Sequence, residues 1–389
     1  MLPLSIHRTI HPPNPRPRRP ARAAAAACLL AVLLVGLAGC FRPAPPPPAG
    51  TVRMERIRPP FDLERRRALF GHDIGAFVCP KPSPTVRDVL VDGFSADQDT
   101  SIVSPEAMAR YREAVRPLTV YETQLTSLSD TFVRSRPAAP AAARCVLEWL
   151  EAWVAEGGLL GQINQQGQHE RKWALSAIAW SYVKIQGEKG LDPAKRRGVE
   201  EWIRRLAIEV TGYTDRRAGT DGRNHQAFWA AAGAMAAAVA LDDRALFSWS
   251  IERYRAGLAQ IQPDGTLPLE LARKTKARHY HTFALAPLVL IAETGTRNDL
   301  PLYQERGHAL GRLANRVIAG LEDPAFFERA AGVRQEWLGT FGGGSIPWAE
   351  PYYARFGDAR LLPWIARFRP IRHRWFGGDA TLCFGVKEL

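Results

Sequence analysis

Between Ala230 and Leu241 every residue except Gly233 is Ala, Met, Val or Leu. A helix of that composition has no polar face to offer water, so other elements must enclose it. The rest of the chain supplies such elements. Apolar residues recur at three- and four-residue spacing over Pro105–Val133, Ala138–Val154, Arg171–Ile185, Pro193–Val210, His225–Leu241, Arg244–Ile261, Arg278–Glu293 and Pro301–Leu321. Gly, Pro and Asp-rich breaks separate these runs. In the second run Trp149 and Trp153 stand four apart, on one helical face. No segment shows a convincing two-residue alternation. Successive helices of this length, some wholly buried, predict an all-α fold, an α/α toroid built as an incomplete barrel of helical hairpins. No shift in composition marks a second domain. A chain with 46% hydrophobic residues, 11 Trp and 16 Phe is not mainly disordered.

The N-terminus reads as an address. Arg8, Arg16, Arg18, Arg19 and Arg22 precede an apolar run from Ala23 to Gly39, ending Leu37-Ala38-Gly39-Cys40. A basic start, a short apolar stretch and small residues before a cleavage point describe an export signal over residues 1–39. Leu-Ala-Gly-Cys resembles the lipobox of bacterial lipoproteins, in which Cys40 would be lipidated and anchor the chain to a membrane. Arg42 to Gly50, with four successive prolines, reads as an extended tether. Residues 40–70 are therefore taken as tether and lead-in segment, and 71–389 as the toroid.

Export admits disulfides. Five cysteines are too few for a disulfide scaffold, and no paired Cys-x-x-Cys zinc spacing occurs. With Cys28 in the signal and Cys40 lipidated, Cys79, Cys145 and Cys383 remain, and an odd number leaves one unpaired. Cys79 follows a Gly/Pro-flanked segment and Cys145 opens a helix; that pair would pin the N-terminal arm to the body.

The net charge of +13 falls to +8 once the five arginines of the signal leave. Of the 47 remaining cations 39 are Arg, which binds carboxylates and phosphates with two parallel hydrogen bonds, so a polyanionic partner fits. An Arg- and Ala-rich proteome would give the same bulk composition.

Three clusters place chemistry-bearing residues where a loop meets a helix. Asp221-Gly222-Arg223-Asn224-His225 opens the Ala-rich helix; His225 offers a base and Asn224 a donor, although Asn is also an ordinary N-cap. Pro268 to His281 gathers Arg273, Lys274, Lys276, Arg278, His279, Tyr280 and His281. A solvated basic loop would look similar, but a phenol among cations has its ionised form stabilised, which suits proton transfer. Arg171-Lys172-Trp173 offers either a sugar-stacking Trp with carboxylate clamps or a core Trp flanked by surface cations. Arg372-His373-Arg374-Trp375 repeats the cation–aromatic theme near the C-terminus, where a basic tail is the plainer reading. Neither a Gly-Lys-Ser/Thr phosphate loop, a Gly-x-Ser-x-Gly elbow nor a His-Glu-x-x-His pair is present.

Taken together, Asn224-His225 before an aromatic/Ala helix, Leu267-Pro268-Leu269-Glu270-Leu271 with Arg273, Tyr280-His281-Thr282-Phe283-Ala284-Leu285-Ala286-Pro287-Leu288, and Arg171-Lys172-Trp173-Ala174-Leu175 resemble the periplasmic alginate lyases of polysaccharide lyase family five. The likeness covers roughly residues 75 to 380, with the motifs in the same order and spacing. It implies the helical toroid, no essential metal or other cofactor, and β-elimination on an acidic polysaccharide. It assigns Asn224 and Arg273 to neutralise the uronate carboxylate, Tyr280 to move the proton, and His225 to assist. Arg171, Lys172, Trp173, Phe228, His281 and Arg374 would contact sugar, and Cys79–Cys145 matches a disulfide found in the family. The chain departs from the family in three places. Phe228 stands where Trp is usual, and Phe283 where a second tyrosine is frequent. Around Asp92-Gly93-Phe94-Ser95 no counterpart of a cationic lid residue appears.

The expectation is an exported, lipid-anchored, monomeric lyase of β-linked polyuronate, polymannuronate first and polyglucuronate or another acidic exopolysaccharide second, with no nucleic-acid partner. A glycoside hydrolase on the same toroid would need two facing carboxylates, and the acids near the clusters are Asp221, Glu270 and Glu170. A non-catalytic polysaccharide-binding lipoprotein is the rival outside enzymes.

Overall fold

The computed structural model describes residues 55–97, 101–137, 139–217 and 219–389. The signal of residues 1–39 and the lipid attachment point Cys40 lie outside them. The described chain runs α1 (Leu63–Phe70), α2 (Pro105–Arg134), α3 (Pro140–Ala155), α4 (Gln165–Ile185), α5 (Pro193–Asp215), α6 (His225–Leu241) and α7 (Arg244–Leu258). It continues through the short α8 (Pro268–Leu271), α9 (Ala277–Arg297), α10 (Glu305–Glu322), α11 (Ala325–Ala331), α12 (Ala349–Phe356), α13 (Leu362–Phe368) and α14 (Ala380–Phe384).

The Ala-rich helix α6 lies where its composition requires, buried from Ala227 to Ala240 and packed by α4, α5, α7 and α9. Helix α4 is buried at every residue from His169 to Ile185, and α9 at nearly every one from Ala284 to Gly295. These three form the inner layer of the toroid. The outer helices are amphipathic: α5 buries Val199, Trp202, Ile203, Leu206, Ala207 and Val210, at intervals that keep one side of a 3.6-residue helix inward. Close packing of the inner layer depends on Gly233, where a Cβ would stand 2.8 Å from the Lys172 carbonyl of α4. Asparagine and aspartate caps fix the helix starts: Asn164 accepts from Gly167 N at 2.9 Å and Asp243 from Ala245 N at 3.0 Å.

The N-terminal arm is pinned as expected, by a Cys79–Cys145 disulfide, leaving Cys383 buried and unpaired. Trp149 and Trp153 hold the same arm, their indoles donating to the carbonyls of Pro80 and Ser83 at 2.9 and 3.2 Å. Residues 55–70, assigned above to the lead-in, belong to the folded body instead. Ile57 and Phe61 are buried, Ile57 N donates to Asp242 Oδ1 at 2.8 Å, and one compact body spans Glu55–Leu389. Two apolar side chains in a polar stretch carry no periodicity, so the sequence did not flag them. Among the described residues, no helix is long and apolar enough to cross a membrane.

The basic C-terminus is no solvated tail. Strands β1 (Arg372–His373) and β2 (Gly378–Asp379) pair antiparallel, too short for any alternation to register. Their turn is clamped by Lys184, whose ammonium, inside α4, donates to Asp130 Oδ1 at 2.5 Å and to the Gly377 carbonyl. Asp130 also accepts from Asp379 N at 2.9 Å. Gly378, at φ +108°, has no room for a side chain, since a Cβ would lie 2.5 Å from Asp130 Oδ2. Removing one partner of a buried ion pair strands the other charge. Lys184→Met is therefore expected to destabilise the fold by about 3–5 kcal/mol in urea unfolding; a loss under 1 kcal/mol would show that the clamp carries no such burden.

Candidate active site

A cleft of about 480 Å³ opens at the N-terminal ends of α4, α6 and α9 and is closed on one side by the β1–β2 turn. Helix starts concentrate unpaired N–H groups and positive potential at one end of the toroid, which suits an anionic ligand.

Asn224 and His225 meet the cleft at the start of α6. Asn224 caps the helix, its Oδ1 accepting from Gln226 N at 2.8 Å, while its Nδ2 is buried without a hydrogen-bond partner. His225 is held from behind by Glu270 of α8. One carboxylate oxygen accepts from His225 N at 2.8 Å and the other from His225 Nδ1 at 2.9 Å. Because an ionised carboxylate only accepts, Nδ1 is the donor and Nε2 is the edge presented to the cleft. Burial alone would raise the Glu270 carboxyl. The charge and two N–H groups of His225, with Arg273 nearby, outweigh it and hold the pKa below the usual range. Tyr280, in the first turn of α9, stacks on His225 with ring centres 4.8 Å apart at 25°. The Arg273 guanidinium lies 5.0 Å from the Tyr280 ring centre. Asn224, His225, Arg273 and Tyr280 thus come together.

Of the other cations in the second cluster, Lys276 pairs with Glu336 at 2.6 Å and Arg278 stacks on Trp337 at 4.5 Å. Neither is a solvated loop cation: Lys276 is buried and Arg278 half-buried in α9.

The remaining expected contacts divide. Trp173 and Arg374 line the cleft. Trp173 stacks on Trp375 at 4.2 Å, and Arg374 Nε donates to the buried Glu122 at 2.5 Å while lying over the Trp375 ring. Arg171 does not reach it: Gln166, His169 and Trp173 set the cleft face of α4, and Arg171 points to the outer surface, donating to Glu209 of α5 at 2.7 Å. Lys172 sits behind the wall, its Nζ 2.8 Å from His169 Nδ1, with burial pushing its pKa down to about 7. Phe228 is buried against Gly257 of α7. Its neighbour Trp229, one helical turn beyond His225, lines the cleft instead and supplies the indole that the departure at Phe228 seemed to remove. His281 is also interior. Its Nε2 accepts from Leu267 N at 2.9 Å, and its Nδ1 donates to the Ala277 carbonyl at 2.7 Å, bracing the loop that carries Arg273. The imidazole that lines the cleft there is His279, which burial lowers to about 3.

Tyr111 and His169 line the cleft without having been singled out, and His373 lines it from the segment read as a basic tail. Helix α4 begins at Gln165, six residues before the apolar run used to place it, and only that extension brings Gln166 and His169 into phase with Trp173. The Asn164 cap was the available signal. Gly93, Phe94 and Ser95 also line the cleft, as does Arg112 of α2. Among the described residues, no three His, Cys, Asp or Glu side chains converge in a metal-holding group.

Comparison with known proteins agrees with this geometry. The alginate lyase family model matches residues 95–327. A polysaccharide lyase of Stenotrophomonas maltophilia (strain K279a) is 35% identical over 308 residues, covering 78% of this chain and 90% of its own. An alginate lyase of Pseudomonas fluorescens (strain Pf-5) is 31% identical over 292 residues, 74% of this chain and 78% of its own. Among solved structures, a His-to-Ala variant of alginate lyase A1-III complexed with tetrasaccharide superposes with TM-score 0.77 at 24% identity, covering 86% of this chain and 98% of that one. At that identity the likeness concerns the fold. The same enzyme from Sphingomonas species A1 gives 0.74 at 25% identity, over 85% and 97% of the two chains. The fold and cleft are those of an α/α-toroid polysaccharide lyase. The chain belongs to the alginate lyase family.

Behind the cleft wall, Glu170 is a buried carboxyl whose pKa is pushed up to about 7. Tyr111 Oη donates to Glu170 Oε1 at 2.6 Å. Burial lifts the Glu170 carboxyl to about 7, Tyr111 opposing this and Glu122 adding to it. In the fold Glu170 keeps its proton up to about pH 7, but unfolded it releases it near 4.5. The native state therefore binds more protons in that window, and stability falls as pH rises across it. Glu170→Gln removes this dependence. Relative to the parent it should gain stability through the window, by up to roughly 3 kcal/mol, and the gain should level off above it. Urea unfolding of both proteins below, within and above the window checks this; a difference independent of pH would contradict it.

Proposed function

We propose that the protein is an exported, metal-independent lyase that cleaves β-linked polyuronate, with polymannuronate as the first substrate, by β-elimination. The observation that carries this reading is the single constellation of Tyr280 stacked on His225, Arg273 beside the phenol, and Glu270 behind the imidazole. Elimination removes the proton at C5 of a uronate, next to a carboxylate that is a poor electron sink while charged. Arg273 stays protonated and matches both carboxylate oxygens, and the buried, unpartnered Asn224 Nδ2 is a donor for the same group. Together they stabilise the aci-carboxylate as charge develops.

Tyr280, entering as the phenolate, takes the C5 proton and passes a proton to the leaving oxygen at C4. The C4–O bond breaks, the C4–C5 double bond forms, and the tyrosine ends as it began. With Nδ1–H committed to Glu270, His225 Nε2 either donates to the substrate carboxylate or accepts the C5 proton from the opposite face. Trp173, Trp229, Trp375 and Arg374 give the sugar rings apolar faces and a cation along the cleft. A hydrolase reading finds less support, because Glu270 is engaged by His225 and Glu170 by Tyr111, where two free facing carboxylates are needed.

Phe283 favours a second substrate reading. It lines the cleft between Trp173 and Trp229 and brings no hydroxyl, so polyglucuronate or another acidic exopolysaccharide is the alternative polymer. The export signal and the lipobox at Cys40 support a periplasmic, membrane-anchored protein.

Incubation with polymannuronate, polyguluronate, polyglucuronate and hyaluronan, followed by the ultraviolet absorbance of the 4,5-unsaturated uronate, tests the reaction and ranks the polymers. Tyr280→Phe should lower kcat by about a thousandfold or more, combining lost acid and base roles, with KM within a few fold. Undiminished turnover in that variant would overturn the assignment.

A further inference from the structure

A second cavity lies at the far end of the toroid. Tyr280 and Glu293 sit toward opposite ends of α9, about 20 Å apart at the helical rise, so this end faces away from the cleft. Here a cavity of about 540 Å³ lies between α1, α9, α12 and the last residues of the chain. Five cations line it, Arg65, Arg66, Arg297, Arg355 and Lys387, against two acids, Asp62 and Glu293. Glu293 is already spent: Arg355 binds it through two hydrogen bonds of 2.6 Å. Arg66 Nη1 donates to the Gly385 carbonyl at 2.7 Å, while its Nε is buried without a partner. Arg65, Arg297 and Lys387 are exposed at the rim. The cavity therefore holds a surplus of fixed positive charge and an unused buried donor, the requirements of a site for an anion.

The first described residues lie on this same end. Ile57 N is held by Asp242 at the C-terminus of α6. Arg58 N and O are both held by Asn298, just past α9, at 2.9 and 2.8 Å. The described chain therefore begins beside the cationic cavity, at the end opposite the cleft.

We propose that this cavity is a docking site for the phosphate headgroups of anionic membrane lipids, which seats the anchored enzyme with its cleft turned toward the polymer. The arrangement rests on the lipidation of Cys40 for its geometry, but the cavity's affinity for headgroups does not. The uronate polymer is the weaker candidate for this site, because the cavity offers no stacked indoles such as those that line the cleft.

The test uses the mature chain with Cys40→Ser, which cannot carry lipid, and vesicles of phosphatidylcholine with or without phosphatidylglycerol. Cosedimentation should require phosphatidylglycerol, weaken with added inorganic phosphate and with salt, and fall about twentyfold or more in Arg65→Glu/Arg297→Glu. The neutral pair Arg65→Gln/Arg297→Gln should fall between. Cleavage of soluble polymer should be unchanged in both variants. Equal binding to phosphatidylcholine alone, or undiminished binding by the charge-reversed pair, would overturn the proposal. Displacement of the protein with the unsubstituted cavity from phosphatidylglycerol vesicles by soluble polymannuronate but not by inorganic phosphate would overturn it in favour of a polymer site. The mass of the N-terminal peptide from the membrane fraction of cells reports lipidation separately. An unmodified Cys40 with intact vesicle binding refutes the anchor and leaves the docking site standing.

Discussion

The buried contact between Glu270 and His225 is the joint on which the site depends. A carboxylate with almost no exposure is tolerable only if its charge is met, and here both oxygens accept from one residue, through a backbone N–H and an imidazole N–H. The acceptor also sits at the start of α6, where the helix dipole favours a negative charge. One interaction thereby fixes the imidazole's tautomer and orientation and ties α8 to α6. That tie brings the following loop, with Arg273, to the mouth of the cleft. His281 braces the same loop from α9 by accepting from Leu267 N.

The inner layer explains why chemistry collects at one end. In α6 the polar residues His225 and Gln226 come first and every later residue is Gly or apolar, so one helix supplies both the reactive end and the core that holds it rigid. Helix α4 repeats the plan, with Gln166, His169 and Trp173 toward the cleft and Ile178 to Ile185 buried toward the other end. The C-terminal turn completes the wall, and the Lys184–Asp130 clamp behind it lets Arg374 and Trp375 face Trp173 across a tight double-glycine bend. The opposite end of the toroid, with the chain's first described residues and the cationic cavity, is left for other contacts.

Much of this was legible in the sequence because it rests on local pattern. The all-apolar run of α6 required enclosure, the amphipathic runs gave the outer helices, and Asn224, His225, Arg273 and Tyr280, grouped by the family resemblance, come together from the start of α6, the loop after α8 and the start of α9. What was not legible was rotational phase. Helix α4 is buried all round, so its sequence has no polar stripe to show which side faces the cleft. Arg171, a cation beside Trp173, consequently looked like a clamp, though it turns outward to Glu209. Phe228 and Trp229 differ by one residue and 100° of helix, which decides between core and cleft. His279 and His281 are two residues apart, about 200° of helix, and so face opposite sides of α9. The C-terminal turn was hidden for another reason: its stability comes from Lys184 and Asp130, far away in sequence, and not from its own residues.

The account stands or falls on whether Glu270 works through His225. Steady-state kinetics of Glu270→Gln on polymannuronate, across pH, test this most directly, because the amide keeps an acceptor for one N–H and removes only the charge and the second acceptor. The account predicts that kcat falls by about a hundredfold or more, that KM changes by only a few fold, and that the pH profile is displaced. A kcat and pH profile equal to those of the parent would contradict it.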